Sequence, residues 1–301
     1  MHTIEIPEKN KTFYFPADLS ECDTVQYINI CKILYQLNNG EIDKYTFLVQ
    51  ASKFLILGKK EKFDEKTEAI KYDNIYQIAS VLESFFEEDE NGKSVIKQYY
   101  IHNPIEKAFG VTRNYYGPSD EFNNVSFGEY VDALSFFYDY IDTQDPQYLY
   151  LLFATFYREK NTRVFSYKNY TKDKRVPYNA ERVSELAEIF KKIDFGIIYG
   201  FFLLFSSFQK YLTTAKIYVQ GKEIDLSILY QDFPTDQQMA ESGLPGLGMK
   251  SLLYTIAENG AFGNKKEVEE APFWEIYIRL YDVRKRDFDA LANHKKQSQN
   301  A

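Results

Sequence analysis

Apolar side chains recur at helical spacing in the stretch VSFGEYVDALSFFYDYID, residues 125–142. Positions three and four residues apart share one face of an α-helix, and Phe, Tyr, Val and Leu fill that face here. Ser126 and Glu129 precede the apolar run with the spacing of a capping box. The pattern predicts a helix whose aromatic face is broad. We expect it to face both a partner helix at 146–158 and a further surface, either another domain or another chain.

A similar arrangement occurs earlier in the chain, at residues 23–57. Asp23 and Gln26 form the same capping pattern, and the helix they begin should end at Asn39-Gly40. A second helix is predicted over 42–57, and several tyrosines of the two regions match without a gap. The match favours either an internal duplication or a helical-hairpin pattern that unrelated amphipathic pairs share, and the residues leave both open.

The remaining periodic segments predict more helices and a few short hairpins. The expected fold is therefore mainly α, with helical hairpin units and short inserted β-hairpins, in three units: 1–115, 116–232 and 233–301. Helices are predicted at 72–86, at 179–193 after an Asn179 cap, at 195–212 after an Asp194 cap, at 251–259 and from Pro272 onward; hairpins or short strands are predicted at 3–16, 90–120 and 216–226.

The composition is aromatic to an unusual degree, with 26 Tyr and 25 Phe but one Trp among 301 residues. Such rings suit a helical core, and they also suit surfaces that bind other proteins. The most apolar run, FGIIYGFFLLF at 195–205, has eleven residues. A membrane span needs about 20, so a buried helix is predicted, with no membrane partner. The N-terminal stretch has no apolar run of the kind that a signal peptide carries.

Charge and cysteine usage narrow the functional classes. The net charge of −8 argues against broad attraction to nucleic acid. The basic clusters KNYTKDKR (168–175) and VRKRD (283–287) are interpreted as solvated charge in a loop and on a helix. Cys22 and Cys31 are interpreted as reduced, small apolar residues, which fits synthesis in the cytosol.

The sequence shows no recognised catalytic or binding motif. The run GLPGLGMKS (243–251) lacks the Gly-Lys-Ser order of a phosphate-binding loop, because Met249 separates Gly248 from Lys250. The three histidines are far apart, and no cluster has metal-ligand spacing. Runs of carboxylates such as EEDEN (87–91) are typical of solvated faces. We therefore assign no catalytic, cofactor-binding or metal residues, and predict that the protein is not an enzyme and needs no cofactor.

Several of these segments resemble tailed-bacteriophage tail-region proteins. The residues are FGEYVDALSFFYDYID, YLLFATFYRE and IIYGFFLLFSSF, together with LLYTIAENGAFGNKKEVEEAPFWEIYIRLYDVRKRD, which is similar to the end of phage tail assembly chaperones. The likeness covers about 125–211 and 252–287. It implies a non-enzymatic role in building a tail, by binding tape-measure or tail subunits. The extra N-terminal half is a departure, and it raises the alternative of a virion component.

The hypothesis from the sequence is thus a tail assembly or virion structural protein that acts through protein–protein contacts in the host cytoplasm or in the virion. Exposed aromatics are expected on the helices at 127–141 and 272–288, and Phe137, Tyr138, Trp274 and Tyr281 are the candidate interaction residues. A charged residue at Phe137 or Trp274 should then abolish binding and spare the helices. Whether the protein is an oligomer is left open. The alternatives are a cytosolic enzyme or ligand-binding protein of an unrecognised class, and a scaffold protein of a mobile element or host.

Overall fold

The computed structural model describes residues 1–6, 11–57, 79–110, 113–161, 173–231 and 249–299. Within these ranges helices dominate and strands are short, which confirms the predicted mainly α fold with small hairpins. The helices described are α1 (Thr24–Asn38), α2 (Lys44–Leu57), α3 (Phe127–Thr143), α4 (Pro146–Phe156), α5 (Val183–Phe190), α6 (Phe195–Thr214), α7 (Met249–Glu258), α8 (Lys265–Glu270) and α9 (Phe273–Gln299).

The described strands pair only with antiparallel neighbours in small sheets. They are β1 (His2–Ile6) with β2 (Lys11–Phe15), β3 (Phe86–Glu88) with β4 (Ser94–Ile96), β5 (Lys107–Phe109), β6 (Asn114–Tyr116) and β7 (Arg158–Glu159) in one sheet, and β8 (Lys216–Val219) with β9 (Lys222–Asp225). The β8–β9 turn lies at Gln220-Gly221, as predicted. Both residues have positive φ, 50° and 77°, as a two-residue type I′ hairpin turn requires.

Helix α6 forms the centre of the core. Its residues Phe201, Leu204, Phe205 and Phe208 are almost fully buried, which confirms the predicted buried helix. Among the described residues, α6 alone is long and apolar enough to cross a membrane, and 61% of its most apolar stretch is covered by the rest of the protein. The rings of α6 pack against those of α3 and α4, mostly edge-on or tilted, so this helix fixes the positions of both.

Helices α1 and α6 approach so closely that α6 needs glycine at the contact. A Cβ at Gly196 would lie 2.2 Å from the carbonyl oxygen of Ile28, and one at Gly200 would lie 2.8 Å from the ring of Tyr27. Tyr27 donates its buried hydroxyl to the Gly200 carbonyl at 2.8 Å. Helix α1 of the predicted first unit therefore packs on α6 of the predicted second unit, while the division into three units stays a prediction.

The predicted helix starts are confirmed in detail. Asp23 with Gln26, and Ser126 with Glu129, form complete capping boxes at α1 and α3. Asp194 caps α6 as expected. Each box satisfies backbone N–H groups that a helix start otherwise leaves unpaired. Both helical hairpins thus begin in the same way, and whether they share an origin stays open.

Some sequence predictions lie outside the described residues. Residues 72–78 of the helix predicted at 72–86 fall there, and the described part contains a 3-10 turn at Leu82–Phe85. The Gly-rich part of 243–251 also lies outside, and α7 begins at Met249. The helix expected at 179–193 is described as a 3-10 turn (Ala180–Arg182) followed by α5, with Asn179 as the cap.

Candidate functional site

The four candidate interaction residues lie in different environments. Tyr138 is exposed over 54% of its surface, as expected, whereas Phe137 is exposed over only 6%. The expected exposure of Phe137 is therefore wrong. Its ring lies 5.4 Å from each of the rings of Phe202 and Phe205, because this side of α3 faces α6. Phe137 is a core residue.

Trp274 and Tyr281 are partly buried on α9. Trp274 donates its indole N–H to the carbonyl of Glu121 at 2.8 Å, and its ring lies edge-on to Phe208 at 6.0 Å. These contacts hold the first turn of α9 against the body of the protein. Trp274 thus has a structural role in this chain, and Tyr281 lies one helical turn beyond the buried Tyr277.

A cluster of tyrosines lies where three elements meet, and we call Tyr130, Tyr138, Tyr230 and Tyr277 the tyrosine junction. Tyr130 of α3 donates to Gln209 Oε1 at 2.9 Å. Tyr230, in the 3-10 helix Leu226–Tyr230, shares a hydroxyl–hydroxyl hydrogen bond with Tyr277 of α9. Burial raises the pKa of Tyr230, and the neighbouring phenol of Tyr138 adds to the rise.

The junction combines fixed and accessible rings. Tyr130 and Tyr277 are 2% and 4% exposed, while Tyr230 is 48% exposed beside the exposed Tyr138. Burial, together with the neighbouring Tyr130 and Tyr230 phenols, raises the pKa of Tyr277, so it stays a neutral hydroxyl at ordinary pH. Exposed aromatic rings that stand on a rigid base lose little conformational entropy on binding, so this surface is suited to contacts with another molecule.

Other exposed rings are held by neighbouring charges instead. Tyr99 lies under Lys210 at 4.1 Å and donates to Glu87 at 2.6 Å. Phe109 lies under Lys107 at 4.7 Å. Singly exposed rings are normal on protein surfaces. The tyrosine junction differs because its tyrosines interact with one another across separate elements.

Two backbone hydrogen bonds tie the start of α9 to the start of α3. Phe127 N–H donates to the Ala271 carbonyl at 2.8 Å, and Phe273 N–H donates to the Val125 carbonyl at 2.9 Å. Gly128 allows the approach, because a Cβ there would lie 3.0 Å from the Glu269 carbonyl oxygen. The segments that carried the family resemblance, around 125–130 and 271–273, thus meet in space.

Beyond its first turns α9 has mostly exposed side chains, with Arg284 and Phe288 partly buried. Arg284 donates to the carbonyls of Ile228, in the 3-10 helix, and of Gln231, directly after it. The side chains of Lys285 and Arg286 are 51% and 58% exposed. Both pair along the helix, with Asp289 at 2.5 Å and with Asp282 at 3.1 Å. Such pairs stabilise the exposed side of a helix.

A second feature is a buried group of opposite charges, which we call the ion cluster: Glu129, Arg158, Asp173 and Arg175. Glu129 binds Arg158 directly and lies 3.5 Å from Arg175. Asp173 accepts from Arg175 at 2.9 Å. The side chains of both arginines are at most 4% exposed, and burial lowers the pKa of Arg158. Two cations and two anions leave the cluster neutral.

The arginine donors of the ion cluster are already used by the protein. Arg158 also donates to the carbonyls of Val176 and Thr155, both at 2.8 Å. Arg175 also donates to the carbonyls of Phe156 and Asn124, again at 2.8 Å. Guanidinium groups that are satisfied in this way hold chain segments together and offer few donors to a ligand.

The ion cluster forms the floor of a cleft of about 1470 Å³. Its rim carries cations and anions that are largely paired with each other, such as Lys265 with Glu269 at 3.2 Å and Lys266 with Glu270 at 3.8 Å. Asp132, on the wall, accepts from Tyr178 at 2.6 Å. The cleft is large enough for a ligand, and its charges are balanced.

The described residues supply no evident reactive group. They contain no group of three His, Cys, Asp or Glu side chains that could hold a metal ion. Cys22 and Cys31 are free and buried, as predicted, and burial raises the pKa of both thiols. A thiol with a raised pKa carries little thiolate and is a poor nucleophile.

Sequence reasoning missed the ion cluster. Glu129 was recognised only as part of a capping box, and Arg175 was interpreted as solvated charge in a loop. That interpretation is wrong for Arg175, which is 2% exposed. The signal that could have drawn attention to Arg158 was its position directly after an apolar helix, where a lone cation must find buried acceptors or leave the core.

Comparison of the chain with protein-family models, with curated proteins and with solved structures found no match.

Proposed function

We propose that this protein acts without catalysis, by binding other proteins, in the assembly or structure of a bacteriophage tail. The observation that carries the proposal is the tyrosine junction. Its exposed Tyr138 and Tyr230 stand on buried Tyr130 and Tyr277, near the start of α9, a helix of 27 residues. Tyrosine is among the residues that dominate binding energy at protein interfaces.

The junction has the form expected of a preorganised contact surface. Its buried members are fixed by hydrogen bonds and by ring contacts, such as the 4.5 Å between Tyr130 and Phe273. A partner that covers Tyr138 and Tyr230 would therefore order few side chains. Helix α9 extends about 40 Å at 1.5 Å per residue, which gives a second contact region at a distance from the first.

The tail context is an inference from the sequence resemblance. The residues that resemble tail-region proteins include Glu129, Arg158 and Phe201, and in this structure they form the framework around α3, α4 and α6. Shared framework residues favour a shared scaffold, and a function inferred from a scaffold rests on analogy. The expected partners are tape-measure or tail subunits, which the protein would bind in the host cytoplasm. After assembly the protein is either released from the tail or retained in the virion.

The direct test is co-expression with the proteins encoded beside this gene. We expect one neighbouring tail protein to co-purify with the wild type in a defined ratio. The Tyr138→Asp/Tyr230→Asp variant should lose that partner, because a carboxylate at each position would be desolvated in the contact. Circular dichroism should show unchanged helix content, since about half of each side chain is already exposed to solvent.

A matched control separates the junction from surface aromatics in general. Tyr99 is 69% exposed and does not belong to the tyrosine junction. The Tyr99→Asp variant should therefore leave partner binding intact. The absence of tail genes beside this gene, with no complex formed by any neighbouring product, would sink the proposal. Equal loss of binding with Tyr99→Asp would remove the junction as its basis.

A second candidate function is the binding of a small ligand, and the cleft above the ion cluster favours it. Its volume of about 1470 Å³ exceeds what a drug-sized ligand needs. A thermal-shift screen of polar metabolites tests this candidate. A compound that stabilises the wild type, but not a Lys250→Glu/Asp132→Lys variant of the cleft wall, would support ligand binding. A screen without such a compound would count against it.

A further inference from the structure

The far end of α3 carries negative charge that the described part of the chain does not neutralise. From Phe127 to Tyr157 the sequence contains five Asp or Glu residues and no Lys or Arg. Two of these acids, Glu129 and Asp132, lie near the start of α3 and have partners. Asp139 and Asp142 lie near its end and make no ion pair with any described residue.

The position of these two carboxylates makes the charge more unfavourable. Helix α3 ends at Thr143, and its last turn contains no basic residue. The C-terminal end of a helix is the negative end of its macrodipole, so anions there are repelled and cations are favoured. Asp145, the cap of the next helix, adds a third carboxylate within a few residues. The negative potential at this end of α3 therefore favours the binding of a cationic group from another molecule.

Apolar surface accompanies the negative charge. Tyr138 and Ile141, three residues apart on α3, are 54% and 44% exposed. They are adjacent in sequence to Asp139 and Asp142, respectively, and they share one side of the helix with Asp142 and the exposed Ser135. A matching surface would carry basic side chains next to apolar ones on a single helix.

The outer half of α9 has that chemistry. Residues 284–296 include five Lys or Arg residues against two Asp residues. Lys285 and Arg286 are exposed, and Leu291 exposes 37% of its surface. Their present partners, Asp289 and Asp282, lie on the same exposed helix. Exposed pairs of this kind contribute little, so the cations can exchange them for better-placed carboxylates.

We propose that the acidic end of α3 binds the basic outer half of α9 from a second copy of this chain, and that the protein thereby assembles head to tail. The inference deepens the proposed function, on which it rests, by naming one partner of the surface beside Tyr138. Two different surfaces of the same molecule meet in such a contact. Contacts of this kind repeat, and they generate closed rings or open helical assemblies.

The proposal is tested by reversing the charges on each of the two surfaces and then mixing the variants. Sedimentation velocity of the wild-type protein over a concentration series should show association that weakens as salt is added. Asp139→Lys/Asp142→Lys should abolish it, and so should Lys285→Glu/Arg286→Glu, because each variant places like charges in contact. An equimolar mixture of the two variants should assemble again, since each then presents the complement of the other.

Matched controls carry the same change of net charge elsewhere. Glu185→Lys/Glu188→Lys and Lys191→Glu/Lys192→Glu, on and after α5, should associate like the wild type. A wild-type protein that is monomeric at every concentration overturns the inference, and so does a mixture that stays monomeric, or a control that behaves like the test variants. A monomer that still binds a neighbouring tail protein through Tyr138 overturns this inference alone and leaves the proposed function standing.

Discussion

Glu129 joins the first turn of α3 to Arg158, the residue that begins β7 directly beyond the end of α4. One carboxylate oxygen accepts from the Ser126 N–H at 2.9 Å, and the other binds the guanidinium. The same side chain therefore completes a capping box and neutralises a buried cation. The local geometry of the helix start brings Glu129 to the Ser126 N–H, and the tertiary fold brings it to Arg158.

Breaking this pair from either side should destabilise the protein strongly. Glu129→Gln keeps an amide oxygen for the cap, as Gln26 does in α1, and removes only the charge. We expect it to lower the free energy of unfolding by about 3–5 kcal/mol, because Arg158 is left buried with one counter-charge fewer. Urea unfolding followed by circular dichroism measures the loss.

Arg158→Met provides the second side of a double-mutant cycle. The double variant should be less destabilised than the sum of the single variants, since neither charge is then left uncompensated. Glu270→Gln, which breaks the exposed pair with Lys266, should change the stability hardly at all. Strict additivity of the two ion-cluster variants would contradict the coupling.

Neighbouring aromatics on α3 should respond in opposite ways to truncation. Phe137→Ala should lower the free energy of unfolding by about 3–5 kcal/mol, because the ring is buried against α6. Tyr138→Ala should change it by less than about 0.5 kcal/mol, because its side chain faces solvent. The two denaturation midpoints compare them directly, and similar values would mean that the face of α3 is assigned incorrectly.

The close contact between α1 and α6 should not tolerate a methyl group. Gly196→Ala should cost about 1–3 kcal/mol or more, since the added Cβ meets the backbone oxygen of Ile28, which cannot move as a flexible side chain can. Thermal unfolding by calorimetry measures the change. Thr213→Ala, at an exposed position on the same helix, is the control, and equal shifts in Tm for the two variants would refute the steric explanation.

Stability should fall as the pH rises into the range where tyrosine ionises. Burial and the nearby Tyr35 raise the pKa of Tyr140 from 10.0 to about 12. The unfolded chain loses the phenol proton first, so stability is full below about pH 10 and declines between there and about pH 12. Tyr27, Tyr130 and Tyr157 have pKa values that burial raises further, and they extend the decline.

Urea unfolding at a series of pH values between about 9 and about 11 measures the slope, and tyrosinate absorbance reports ionisation. Tyr140→Phe should make the decline less steep, whereas Tyr99→Phe, which removes an exposed phenol, should leave it unchanged. A free energy of unfolding that is flat over this range would contradict the burial of these phenols.

Local patterns in the sequence predicted the helix starts and the turns. The capping boxes at Asp23 and Ser126 span three residues, and the β8–β9 turn needs only Gln220-Gly221, so the information for each is contained in a short stretch. The same applies to the buried α6, whose apolar run is continuous. These features require no knowledge of which segments meet.

Long-range pairing was not contained in those patterns. Glu129 and Arg175 are close in space but lie in separate segments, and no periodicity links them. Phe137 and Tyr138 both fit a broad aromatic face, and only the position of α6 decides which ring it covers. The same distinction applies to the candidate site. The sequence pattern identifies the exposed Tyr138, whereas Tyr230 and the ion cluster depend on long-range packing and are not identified by it.

The pair of backbone hydrogen bonds between residues 125–127 and 271–273 has a mechanical consequence. A pulling force on the outer half of α9 is carried in part by this short antiparallel link and by the ring contact between Tyr130 and Phe273, both at the start of α3. That turn is anchored by Glu129 to Arg158. A load on α9 is thereby shared between the two backbone hydrogen bonds and the buried Glu129–Arg158 pair.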